Sequence, residues 1–151
     1  MSIFRRTCTL REAHSIVWLD LQRLMAEVAK VAKRGDARLN GMSRVQILRR
    51  SLDVMELIHL RSPPVSVREQ PVAYDETVTG RQRGRSRADQ RDQLIVILEA
   101  MVRTAERSGH AGRPDVDEAI GHWKVAIEAL GECTFPSIYH PTRQEGQYES
   151  A

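Results

Sequence analysis

Residues 42–60 read MSRVQILRRSLDVMELIHL, and their spacing decides what kind of protein this is. Val45, Leu48, Leu52, Met55 and Ile58 recur at steps of three and four, which lines one narrow apolar seam along a helix. Ser43 followed by Gln46 has the form of a capping box, so the helix is expected to begin at Ser43 and to follow the loop RGDARLNG. A seam this narrow needs another helix to cover it.

Three further helical patterns lie outward from this stretch. One spans about residues 10–33, opened by the capping-box pair Thr9 and Glu12. Another covers about 86–107, where the LIVIL core at 94–98 would fit a buried strand alone, but the flanking EAMVRTAER extends it with strong helix formers. The last covers about 115–130, with Asp115 and Glu118 as its box, Ile120, Trp123, Ile127 and Leu130 as its seam, and Gly131 as a natural stop. Between the second and third, residues 61–84 are polar and rich in Pro and Gly, with Pro63 and Pro64 ending the helix before them. They read as a linker, and residues 132–151 as a disordered tail.

Composition narrows the class. The chain has 151 residues, 41% hydrophobic but only 5% aromatic, so its core must be built from aliphatic residues that favour packed helices. A net charge of +3 and a pI near 9.2 are mildly basic and select no partner alone. Cys8 and Cys133 stand far apart without metal-ligand spacing, which favours a reducing compartment. No apolar run suits a signal peptide or a membrane span.

His14, His59, His110, His122 and His140 form no ligand pair and read as surface or loop histidines. There is no GxSxG, HExxH, phosphate loop or dinucleotide fingerprint, so the sequence suggests neither an enzyme nor a cofactor, metal or small-molecule substrate.

The two halves overlay with a shift of 72 residues (115 minus 43), which puts Leu48 on Ile120, Met55 on Ile127 and Ile58 on Leu130. Within this frame MSRVQILRRSLDVMELIHL resembles the second helix of basic helix-loop-helix transcription regulators, through Met42, Ser43, Arg44, Val45, Ile47, Leu48, Ser51, Leu52, Met55 and Ile58. REAHSIV at 11–17 resembles the start of their basic region. A tandem form would resemble the nematode family with two such domains in one chain. The resemblance implies nuclear localisation, and a cytoplasmic one if it fails. It also implies dimerisation through Val45, Leu48, Leu52, Met55, Ile58, Ile120, Trp123, Ile127 and Leu130, with a helix-loop-helix partner or a second copy.

The family's base-reading Glu is replaced here by Trp18, followed by Leu19, Asp20, Leu21 and Gln22, so E-box reading by the family's means is not expected. DNA contact is instead expected from Arg81, Arg83, Arg85, Arg87 and Arg91, which lead into the third helix. A solvated linker accounts for the same arginines.

The expectation is therefore an all-α protein. It comprises a helix-loop-helix unit at 10–60, a linker at 61–84, a second unit at 85–131 and a tail, with the two units pairing as a four-helix bundle. Within each unit the family geometry requires parallel helices, and a plain antiparallel hairpin would count against it. The functional expectation is a transcriptional regulator. A small microbial helical-bundle protein with an interaction or scaffold role is the alternative.

Overall fold

Alternation decides the first element. In SIFRRTCT, successive side chains point to opposite faces, and β-branched Ile3, Thr7 and Thr9 favour an extended backbone. The computed structural model of the chain describes residues 2–33, 38–58, 62–78 and 86–135. In it Ser2–Thr9 is a strand, β1, which passes without a loop into helix α1, Leu10–Lys33. The predicted capping box makes that junction: the Glu12 amide donates to Thr9 Oγ1 at 3.1 Å, and the Thr9 amide donates to Glu12 Oε1 at 2.9 Å. These bonds hold the Glu12 carboxyl below the usual carboxylate range.

Helix α1 buries Leu10, Ala13, His14, Val17, Leu21, Leu24 and Val28, one stripe of an amphipathic helix. Helix α2 spans Arg38–Glu56. Only four residues separate it from α1, a reach of about 14 Å when extended, against about 36 Å for the length of α1. The Trp18 indole donates to Glu56 Oε2 at 3.3 Å, which brings the first half of α1 beside the end of α2. The two helices are thus an antiparallel hairpin, and this counts against the helix-loop-helix resemblance. Ser43 lies inside α2 rather than capping it.

Within the segment expected to be a linker, residues 62–78 are structured. Pro63, Pro64 and Val67 are buried, and the turns there carry the carbonyls of Arg68 and Gln70 to the N-terminus of α1. The Arg11 amide donates to Arg68 O at 3.0 Å and the Leu10 amide to Gln70 O at 2.8 Å, satisfying donors that a helix start leaves open. Residues Pro71–Val78 then form a second strand, β2, antiparallel to β1, in a register that pairs Thr9 with Pro71 and Ser2 with Val78. The protein is therefore mostly helical, as the all-α expectation has it, with the addition of a small two-stranded sheet. Val72 and Tyr74 bury one face of this ribbon, on which half-buried Cys8 packs, while Arg5, Thr7 and Asp75 leave the other face exposed.

Helix α3, Arg87–Arg107, starts at Ser86, whose hydroxyl accepts from the Asp89 amide at 3.0 Å. It runs along β2: the Gln93 side chain donates to Asp75 O at 3.2 Å and the Thr104 hydroxyl to Pro71 O at 3.3 Å. Backbone acceptors on a strand edge are thereby covered by a helix. Gly109 and Gly112 take left-handed conformations, φ 86° and 99°, in the turn to helix α4, Pro114–Glu132. Its predicted box does not form, because Arg113 holds the cap position, and Gly131 lies within the helix.

Element order is thus strand–helix–helix twice. The buried stripes match at an offset of 77 in the first helices (94 minus 17: Val17 with Leu94, Leu21 with Leu98, Leu24 with Met101, Val28 with Ala105). In the second helices the offset is 75 (123 minus 48: Leu48 with Trp123, Ser51 with Ala126, Met55 with Leu130). The expected shift of 72 slides the second copy by about one helical turn. Both halves feed one continuous core.

His14 lies in that core, contrary to the expectation for histidines. Its Nδ1 accepts from the Trp123 indole at 3.3 Å, and burial pushes its pKa down to about 4. At neutral pH the ring is uncharged, as an acceptor facing an indole donor requires.

Candidate nucleic-acid interface

The arginines expected to touch DNA are placed differently from one another. Arg81, Arg83 and Arg85 lie outside the described residues. Arg87 is half-buried, with its Nε 3.9 Å from Glu27. Arg91 turns inward: its side chain is only 16% exposed, its Nε donates to Asp92 at 2.8 Å, and its Nη1 donates to Leu130 O at 3.4 Å and Cys133 O at 2.6 Å. It satisfies carbonyls at the end of α4, where a cation also meets the negative end of the helix dipole.

The expected dimerisation seam is consumed inside the chain. Leu48, Leu52, Met55, Ile58, Ile120, Trp123 and Leu130 are buried, and Val45 and Ile127 pack half-buried against the same core. Residues 133–135 add to it rather than opening a free tail: Cys133 is buried, and the Arg44 guanidinium donates to Thr134 O at 2.6 Å while lying over the Phe135 ring at 5.4 Å.

What remains open is the outward face of the ribbon. Arg5 and Asp75 stand opposite each other across the two strands, their side chains 3.0 Å apart and 67% and 58% exposed. Thr7 pairs with Ala73 beside them. Where this face meets α3 there is a cleft of about 290 Å³, lined by Arg5, Gln70, Ala73, Arg103, Thr104 and Arg107 among others. Among the described residues no carboxylate lines it.

The inward face differs in chemistry. Tyr74 is buried, which raises its hydroxyl to about 12, and Arg6 is pushed up by Tyr74 and by Glu76, 3.5 Å away. Burial also raises both cysteine thiols, so neither has the lowered pKa of a reactive nucleophile. Among the described residues no group of His, Cys, Asp or Glu is placed to hold a metal ion, and no helix is long and apolar enough to cross a membrane.

Sequence reasoning passed over this face because Arg5 and Arg6 look alike in the chain. The signal was the period of two in SIFRRTCT and again in PVAYDETV, which separates Arg5 from Arg6 and joins Arg5 to Asp75. Comparison with protein-family models, with curated proteins and with solved structures gave no match to this chain.

Proposed function

We propose that this chain is a DNA-binding transcription regulator that presents its two-stranded ribbon to the major groove. The observation that carries the proposal is the duplicated strand–helix–helix unit whose two strands pair into one antiparallel ribbon with an open polar face. Two-stranded ribbons are one of the few protein elements that a major groove about 12 Å wide admits. Eight residues per strand give a ribbon of about 27 Å. Here each of the two repeats supplies one strand of the ribbon.

The open face carries suitable chemistry. Arg5 offers a donor fork and Asp75 an acceptor, side by side. A G·C pair displays the matching set, with acceptors at G N7 and O6 and a donor at C N4. Thr7 adds a hydroxyl and a methyl beside them. The proposal keeps the regulator class of the sequence reading but moves the contact from residues 81–91 to the ribbon.

The alternative, an interaction protein without DNA, is favoured by the acidic partners of the ribbon's arginines, Asp75 for Arg5 and Glu76 for Arg6. Titration of labelled duplex DNA across a range of salt decides between them. The DNA reading expects binding that weakens linearly in log–log form, with a slope that Arg5→Ala reduces by about 0.9 if it meets one phosphate, or sequence preference that Arg5→Ala relaxes if it meets a base. An absence of binding at low salt would select the interaction protein.

A further inference from the structure

We infer that the cleft between β2 and the last turns of α3 is a binding site for a phosphate group. Arg103 and Arg107 are four residues apart on α3, so they share a face, and both are exposed. Among the described residues neither makes a hydrogen bond or ion pair. Arg5 closes the same cleft from the ribbon. Like charges one helical turn apart are unfavourable when alone. The C-terminal end of α3 offsets that for Arg107, in the last turn, but less for Arg103, one turn back, while Arg5 has Asp75 at 3.0 Å.

The walls are held in place by bonds that spare Arg103 and Arg107. Thr104, between them, is fixed by its hydroxyl to Pro71 O at 3.3 Å, and Ala100 beside them is buried, so α3 cannot swing away without losing core. Guanidinium forks suit the oxygens of a phosphate, which accept paired N–H bonds. A volume of about 290 Å³ lies at the small end of ligand clefts and fits a phosphate group with its substituent. Arg103 and Arg107 also break the internal repeat. At the offset of 77 their counterparts in α1 are Ala26 and Lys30, so the basic pair belongs to the second unit alone.

The phosphate can come from a nucleic-acid backbone or from a free phosphorylated small molecule. Only the first source rests on the DNA reading. The test compares the full-length chain with its Arg103→Ala/Arg107→Ala variant in two titrations, one with duplex DNA over a range of salt and one with inorganic pyrophosphate followed by amide shifts of Ala73, Arg103 and Arg107. Both residues are exposed, so circular dichroism should match between the two proteins.

A DNA-affinity loss of about tenfold with a salt slope lower by about 0.9 per phosphate identifies the backbone as source. Saturable pyrophosphate shifts lost in the variant, without DNA binding, identify a free phosphate; they support the cleft while removing the DNA reading. DNA binding that the variant retains in full, with no pyrophosphate shifts, overturns the cleft and leaves the DNA reading standing. Silence in both titrations overturns both.

Discussion

The two strand–helix–helix units solve the same packing problem with different residues. In the first, the strand runs straight into its helix, and a reciprocal capping box holds the corner at Thr9 and Glu12. In the second, residues 79–86 intervene, and α3 starts at a single Ser86 cap before lying along the edge of its own strand. At the offset of 77, His14 corresponds to Arg91. The first is buried and neutral against Trp123, and the second is nearly buried and spends its charge on the carbonyls at the end of α4. The difference shows that a repeat can keep its apolar stripe while its polar positions take on separate tasks.

The largest expected effects test whether the two units share one fate. Trp123→Ala should cost about 3–5 kcal/mol and its counterpart Leu48→Ala about 2–5 kcal/mol, since each opens a cavity in the common core. Urea unfolding followed by fluorescence and by circular dichroism should give one coincident transition for both variants. Two transitions, only one of them moved by Leu48→Ala, would divide the core.

Next in size is the pH response of His14. Its folded pKa of about 4 lies below the ordinary 6.5, so between these values the unfolded chain binds more protons than the folded one. The stability of the neutral buried ring is fully present above about pH 6.5 and is lost as pH falls toward 4, by up to about 1.4 kcal/mol per unit. Unfolding free energies measured across this range should fall steeply in the parent and less so in His14→Leu. An unchanged slope would place the dependence elsewhere.

Arg91→Ala takes its donor from Cys133 O and one of two from Leu130 O, which keeps the Cys133 amide, and should cost about 1–3 kcal/mol. Hydrogen exchange should quicken first at the end of α4. Of the two caps, Thr9→Ala and Ser86→Ala should each cost about 1 kcal/mol, since each removes the hydroxyl that accepts one helix amide. Smallest is Arg5→Ala, which removes an exposed ion pair and should move stability by less than about 1 kcal/mol while changing DNA binding.

The sequence made the helices legible where a cap or a run of helix formers marked them. The box at Thr9 and Glu12 marked the start of α1, and the helix formers of EAMVRTAER, extending the LIVIL core, marked α3 as a helix. Helix α2 was misread at its start because Ser43 and Gln46 imitate a box, whereas the helix continues through Asn40 and Gly41, poor helix formers, up to Arg38. The repeat was mis-set by a turn for the same reason, since Ser43 and Asp115 were aligned as caps and neither is one.

Strand β2 was hidden by its setting. Among its described side chains Val72 and Tyr74 alone enter the core fully, within a stretch of prolines, glycines and charges that otherwise marks a linker. Strand β1 was hidden by adjacent arginines that belong to opposite faces. The seams were legible as seams but not as internal, because periodicity tells which face is covered and not by what. Arginine density drew attention to residues 81–91, yet density does not reveal that Arg91 is already bonded to α4.

The most direct test of the ribbon account is a map of backbone amide shifts in the full-length chain during titration with duplex DNA. Saturable shifts should gather on Arg5, Thr7, Ala73 and Asp75 and extend to Arg103 and Arg107, while the buried amides of α2 and α4 stay in place. Shifts confined to residues 81–91, or no saturable shifts at all, would contradict it.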